Sequence, residues 1–377
     1  MNDTSGRPEM RSDHPLPAHD PFRLHRLALR VTEPHLTEAD LRSLLHTIGT
    51  AGAPAFANTL IELGVVSYWH QTILTHGAAN DAAPGFMDTL KAIHLSETML
   101  YMAQRAALRE VDAIFDGQNI AYAVIKGAHV RELVYADPAL RSAGDIDILI
   151  SPAQREVAVK GLIEAGYALR ANPENISHEA TLVRGEVAID LHWNILRPGR
   201  TRIEMADSLL MRRQRVDDYW GLDDTDTVFL MLVHPAFAKY VCSPNMGLNR
   251  AFDFIFWLRK RSVDWDAVAD RLAGAGLNTA AWTVLQWIAM LLPPRSLQVP
   301  DSFIARIQPG VIRARYLRFW LRHDLPTRWL KQAMLIQLFF TLFLHDHPSD
   351  ALHAIRGWLR SRGLRHSDPL LSMETRG

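Results

Sequence analysis

The sequence predicts an α+β protein, a small mixed β-sheet core with its own helices, flanked by α-helical N-terminal and C-terminal regions. Short β-branched runs are confined to about residues 118–200. Apolar residues at three- and four-residue spacing dominate the chain on either side. Within the β-rich stretch, aspartates interrupt otherwise apolar strands, and strands that carry charge need a reason to do so.

Taken in order, residues 1–22 are rich in Pro, His, Asp and Ser without periodicity and are expected to form a disordered tail. Thr37-Glu-Ala-Asp40 ahead of Leu41, Leu44 and Leu45 has the pattern of a capping box, with Asp where Glu or Gln is usual. Residues 23–117 are expected to be helical, and Phe86 to Phe115, free of internal Pro and Gly, reads as one long helix. Ile120 to Ile125 is a strand, followed by a helix from Lys126-Gly127 to Tyr135 that Asp137-Pro138 ends. Gly144 to Ile150 is a second strand; Pro152 starts a helix through Leu162. Val187 to Leu191 pairs with Leu182-Val183 across a turn at Arg184-Gly185. From about residue 201 to 366 the chain reads as helix after helix, with turns at Pro198-Gly199, Ser243-Pro244, Gly274-Ala-Gly276 and Pro293-Pro294; residues 367–377 read as a second tail.

The chemistry lies in the strands. Asp145 and Asp147 stand two apart, so they share one strand face while Ile146, Ile148 and Ile150 share the other. Adjacent carboxylates in an apolar strand call for a cation, and hard oxygen ligands favour Mg2+ or Mn2+. The alternative is a strand end neutralised by Arg141 or Lys126. Asp190 and His192 recur two apart on a later strand, so His192 either orients Asp190, touches a ligand, or is a buried hydrogen-bonded histidine.

In these residues the chain resembles the nucleotidyltransferase superfamily, which combines a Gly-containing helix start, an Asp-x-Asp strand and a third acidic residue on a neighbouring strand. It is similar in particular to a bacterial family of uncharacterised nucleotidyltransferases, through Lys126-Gly127, Tyr135-Ala-Asp137-Pro138-Ala-Leu-Arg141, Asp145-Ile-Asp147 and Asp190-Leu-His192-Trp193. His234, Asp253 and Asp264-Trp265 fall in that family's order, and the resemblance runs from roughly 90 to 290. It implies transfer of a nucleoside monophosphate from a nucleoside triphosphate, with Asp145, Asp147 and Asp190 as catalytic residues and metal ligands. Lys126, Gly127, Arg141 and His192 are then the candidates for holding the nucleotide, Arg141 having pinning of Asp137 as its structural alternative. Two cations about 3.5–4 Å apart can bind the attacking and leaving oxygens in such sites. Where the superfamily usually has Gly-Ser or Gly-Gly, this chain has Gly127-Ala128, and alanine offers no hydroxyl to a phosphate. Tyr135 and Trp193 suit the core better than base stacking; His234 and Asp253 suit a role in holding the helical region together.

Composition bounds the rest. With 377 residues, 48% of them hydrophobic, the chain can fill one large or two ordinary domains. A formal net charge of zero argues against coating nucleic acid by bulk charge. The balance is uneven, however: Val311 to His366 holds ten Arg or Lys against three Asp. Arg313, Arg315, Arg318 and Arg322 lie among Tyr316, Phe319, Trp320 and Trp329, a pattern that fits inward-packed aromatics with solvated arginines, peripheral contact with an anionic membrane, or an RNA acceptor, the first being favoured. His345-Asp346-His347 reads as a solvated helix end rather than a metal site. Cys242 is the only cysteine, which excludes an intramolecular disulfide and fits a cytoplasmic setting. The N-terminus has no apolar core of a secretory signal, and Ala333 to Leu344 is too short for a bilayer span. The acceptor is left open among a small molecule, a peptide and a protein side chain. Two other classes remain, a catalytically silent nucleotide-binding or partner-recruiting module of the same fold and an RNA-modifying, toxin-like transferase.

Overall fold

The structure is a computed structural model, and it describes residues 22–172, 175–238, 247–294, 296–323, 333–364 and 368–373. Nearly all of the N-terminal tail, Cys242, the Ser243-Pro244 turn, Trp329 and the last four residues lie outside the described residues.

The chain opens with helices α1 (Arg23–Leu29), α2 (Glu38–Ala51), α3 (Ala53–Leu63), α4 (Val66–Thr75) and α5 (Phe86–Gly117). The capping box forms with Asp at its third position: Asp40 N donates to Thr37 Oγ1 at 3.1 Å and Thr37 N to Asp40 Oδ2 at 3.0 Å. Helix α5, 32 residues and so about 48 Å long, joins two cores. Phe86 and Leu90 near its start pack among the helices, whereas Leu108, Val111 and Phe115 near its end pack on the sheet.

The α/β segment follows as β1 (Tyr122–Val124), α6 (Lys126–Val134), β2 (Ile146–Ile150), α7 (Arg155–Glu164), β3 (Ala168–Arg170), β4 (Glu179–Arg184) and β5 (Val187–His192). After α8 (Ala206–Met211), a hairpin of β6 (Gln214–Val216) and β7 (Tyr219–Gly221) completes a seven-stranded mixed sheet, ordered β3-β4-β5-β2-β1-β7-β6. The fold is therefore α+β. The hairpin lies in a stretch that reads as helical from sequence; its strands are three residues each, too short for an alternation signal. Gly185-Glu186 forms the β4–β5 turn, one residue later than expected, with Gly185 at φ 58°.

The remaining helices are α9 (Asp224–Ala238), α10 (Asn249–Lys260), α11 (Trp265–Ala275), α12 (Asn278–Leu291), α13 (Asp301–Ile307), α14 (Val311–His323), α15 (Ala333–Phe339), α16 (Pro348–Leu364) and α17 (Pro369–Ser372). Helices before and after the sheet in sequence share one apolar core, which includes Trp69, Trp257 and Trp282. Ile146, Ile148 and Ile150 face the other core with Val159, Leu162 and the end of α5, as their alternation requires. The face opposite carries Asp147, Asp190 and His192 toward the helices. Residues 368–373, read from composition as tail, return to the sheet: Leu370 is buried and Arg155 Nη1 meets Asp368 Oδ2 at 2.9 Å. Among the described residues no helix is long and apolar enough to cross a membrane.

In the basic C-terminal stretch, Leu317, Trp320 and Leu321 are buried while Arg315, Phe319 and Arg322 are exposed. Arg313 donates to the carbonyls of His345 and Asp346 at 2.8 Å, and Arg318 to Gln286 Oε1 at 3.0 Å, so two of the four arginines serve packing. His345-Asp346-His347 is not a solvated helix end. His345 is buried, and Asp346 caps α12 by accepting from Asn278 N at 3.1 Å and Thr279 N at 2.8 Å.

Strand β7 is held by His129 of α6. Its Nε2 lies 3.1 Å from the Leu222 carbonyl, which can only accept, so Nε2 carries the proton and Nδ1 accepts from Tyr219 O–H at 3.3 Å. A Cβ on Gly221 would lie 2.2 Å from His129 Cε1, which explains the glycine there. Burial pushes the His129 pKa down from 6.5 to about 4. Above pH 6.5 both folded and unfolded states are neutral at this position; as pH falls below 6.5 the unfolded chain takes up a proton that the folded chain refuses down to about 4. Stability present at neutral pH is thus lost across that window. Denaturant titrations at about pH 7.5 and about pH 5 should show His129→Gln, which keeps one donor and one acceptor, losing roughly 2 kcal/mol less than the parent. Equal losses would remove His129 as a cause.

Candidate active site

Strand register builds the site. Strands β2 and β5 run parallel with Asp147 opposite Asp190, and β4 runs antiparallel to β5 with Thr181 opposite Asp190 and Glu179 opposite His192. Asp147, Asp190 and His192 each offer a ligand atom, and these atoms lie within 4.8 Å of one another. Two carboxylates and an imidazole at that spacing fit a divalent cation. The fit brings His192 in beside the aspartates, although sequence alone assigns it to the nucleotide.

Asp147 is the most heavily engaged of the group. Its Oδ1 accepts from Lys126 Nζ at 2.6 Å and from His192 Nε2 at 2.7 Å. Burial acts to raise its pKa, but the Lys126 and His192 charges outweigh it and hold the carboxyl well below the usual range. Asp190 Oδ1 accepts from Thr181 Oγ1 at 2.6 Å. His192 Nδ1 faces Glu179 Oε2 at 3.2 Å. Asp145, one residue before β2, lines the same cavity outside this close group. The neighbouring Asp147 carboxylate, then burial, then Asp190 push its pKa up to about 6.

At the start of α6, Lys126 has φ 56°, a left-handed conformation that costs a non-glycine residue about 1 kcal/mol or more. That turn aims Nζ at Asp147. The space beside Gly127 is already filled: a Cβ there would lie 2.2 Å from Arg141 Nη1. Gly127 therefore admits the Arg141 guanidinium on the side where a Cβ would stand.

Arg141 pairs with Asp253 of α10 instead of Asp137. Nη2 meets Oδ2 at 2.7 Å, Nε meets Oδ1 at 3.1 Å, and Tyr135 O–H donates to the same Oδ1 at 2.9 Å. Burial lowers the Arg141 pKa, and Asp253 more than offsets that. Asp137 is occupied locally, accepting from Ala139 N at 2.9 Å. Tyr135 and Trp193 are core residues.

Lys126, Gly127, Arg141, Asp145, Asp147, Glu179, Asp190, His192 and Asp253 line a cavity of about 610 Å³, with the sheet on one side and α9 and α10 on the other. Pockets for small ligands run from about 300 to 1,000 Å³. His234 lines it too, kept neutral by burial and by the nearby Lys126 and Arg250 charges. His178, beside Glu179, is pushed down to about 2 by burial and by His192. Glu179, His178 and Arg250 had not been singled out in the sequence. Arg250 carried a usable signal, standing three residues before Asp253 on one helix face.

A family model described as an uncharacterised nucleotidyltransferase matches residues 50–293, well over half of the chain. A search of the curated proteins finds no match.

The crowding between Gly127 and Arg141 can be measured. Gly127→Ala should cost about 1–3 kcal/mol by overpacking, and most of that cost should vanish in an Arg141→Ala background, because contacting residues are not additive. Asp253→Ala, which strands Arg141 unpaired in the interior, should cost about 3–5 kcal/mol. Urea titrations of the four proteins in the Gly127–Arg141 cycle decide the first point; strict additivity would rule it out.

Proposed function

The chain belongs to the uncharacterised nucleotidyltransferase family, and we propose that it transfers a nucleoside monophosphate from a nucleoside triphosphate to an acceptor, with Mg2+ or Mn2+ held by Asp145, Asp147, Asp190 and His192. The observation that carries this reading is the Asp147–Asp190 pairing across parallel strands at the wall of a nucleotide-sized cavity. Imidazole beside the carboxylates favours Mn2+ over Mg2+ as the tighter of the two.

In the transfer, an acceptor oxygen attacks the α-phosphorus while the bond to pyrophosphate breaks, and the protein's share is position and charge. A bound divalent cation would neutralise the triphosphate and assist both the entering and the leaving oxygen. Asp190, oriented by Thr181, is the carboxylate suited to take the acceptor's proton. His192 would offer Nε2 to the cation in place of its contact with Asp147, while Glu179 Oε2, 3.2 Å from Nδ1, orients the ring. Lys126 competes with the cation for Asp147 Oδ1.

One observation favours a second reading. Lys126 already neutralises Asp147, which suits a nucleotide-binding module without turnover. The two separate by pyrophosphate release.

Purified protein with manganese and the four nucleoside triphosphates should transfer a labelled monophosphate to a component of a cell extract, and mass spectrometry would identify donor and acceptor together. Asp147→Asn should lower the rate by about 100-fold or more; undiminished transfer would refute the assignment. Lys126→Met, by removing the competing ammonium, should tighten Mn2+ binding about three- to tenfold, read by electron paramagnetic resonance of free Mn2+. Weaker or unchanged binding would show that Lys126 and the cation do not share Asp147.

A further inference from the structure

The cavity cations are not equivalent. Lys126 is paired with Asp147, and Arg141 is paired at two points with Asp253. Arg197 donates to the neutral Asn175 Oδ1 at 3.2 Å, and Arg200, which lines the cavity too, has its guanidinium carbon 5.1 Å from the centre of the Phe237 ring. Arg250, the second residue of α10, lines the cavity and has no ion-pair partner among the described residues. Its Nη1 lies 3.4 Å from where a Cβ on Gly247 would sit, at a glycine with φ 73°. The charges that act on it are Arg141, Asp253, Asp147 and Asp145. Burial and Arg141 both oppose its charge, so an anion beside it would relieve a standing electrostatic cost.

Its place in the fold is also informative. Across the sheet the functional groups run from Glu179 and Thr181 on β4, through Asp190 and His192 on β5 and Asp147 on β2, to Lys126 and Gly127 after β1. Helix α10 packs on α6, so Arg250 belongs to the β2–β1 end. Asp190 and Glu179 belong to the other end, with His178 and Arg197.

We propose that Arg250 binds the β- and γ-phosphates of the donor, so that the triphosphate runs toward α10 and the acceptor enters from the β4–β5 side. The proposal rests on the nucleotidyl-transfer reading for the identity of the donor, though not for the anion site itself. A guanidinium suits this position because its fork of donors matches two phosphate oxygens at once.

The test is calorimetric binding of inorganic tripolyphosphate with manganese to the intact protein, beside the four nucleoside triphosphates. Arg250→Gln should weaken tripolyphosphate binding about ten- to hundredfold. Arg250→Lys, which keeps the charge and loses the fork, should weaken it less, by about two- to tenfold. Arg259→Gln removes one charge from the exposed end of the same helix and should change nothing. Thermal unfolding of each free variant checks that the fold is intact; should Arg250→Gln not fold, the lysine variant decides. Parent-like affinity in the folded Arg250 variants, or no tripolyphosphate binding by the parent, would overturn the proposal. Tripolyphosphate bound as tightly as every nucleotide would assign the site to free polyphosphate and overturn the donor orientation. The reaction and the anion site fail separately. Arg250-dependent tripolyphosphate binding without any turnover keeps the site and loses the reaction, whereas turnover with an unchanged KM for nucleotide in Arg250→Gln keeps the reaction and loses the site.

Discussion

Like charge concentrated at the junction of β2 and β5 is the constraint around which the fold is arranged. Parallel pairing sets Asp147 directly against Asp190, and Asp145 stands one residue before β2 with its pKa pushed up to about 6 by that company. Carboxylates so placed repel each other and lose hydration, and no apolar packing repairs that loss. The chain answers with Lys126, whose left-handed backbone directs its ammonium onto Asp147, and with His192, which donates to the same oxygen. Each answer comes from a different element, so α6, β2 and β5 are tied together by electrostatics as well as by strand pairing.

A second tie joins this sheet to the helices. Arg141 reaches past Gly127 to Asp253 on α10, and Tyr135 donates to the same carboxylate. A buried ion pair is a weak source of net stability, yet breaking one is costly, so its contribution is to orientation. It fixes the helical wall of the cavity against the sheet wall. The shared core of helices from both ends of the chain then makes that wall rigid, since α9 and α10 are packed from behind by residues from before and after the sheet. The cavity is therefore bounded by two bodies held at a spacing set by a polar contact.

Much of this was legible because its signals are local. Alternation in Ile146, Ile148 and Ile150 set these three on one apolar strand face and Asp147 on the other, the Thr37 to Asp40 capping box was readable in four residues, and the uninterrupted spacing from Phe86 onward announced α5. What escaped depends on register or on distant partners. Glu179 enters the site only because β4 pairs with β5 so as to set it opposite His192, which no local pattern states. The β6–β7 hairpin is stabilised by joining β1 at Val124, a tertiary contact that overrides weak local preference. The partner of Arg141 was missed for the same reason: Asp137 is near in sequence, but its carboxylate is used by its own turn.

On the nucleotidyl-transfer proposal, Lys126 serves both the resting protein and the reaction. Without a cation, a cluster of Asp147, Asp190 and His192 would leave the Asp147 carboxylate with His192 as its one side-chain partner; the ammonium at 2.6 Å adds a fixed positive charge. A group that satisfies Asp147 too well would shut the cation out. Lysine suits this compromise better than arginine: its single ammonium on a flexible stem makes one strong contact and gives it up by rotating, whereas a guanidinium would lock both carboxylate oxygens. Arg141 holds Asp253 in just that locked manner, at a contact that joins two walls. The choice of cation at each carboxylate thus follows its surroundings, a permanent fork where the walls are joined and, on the proposed reading, a releasable point charge where a cation would enter.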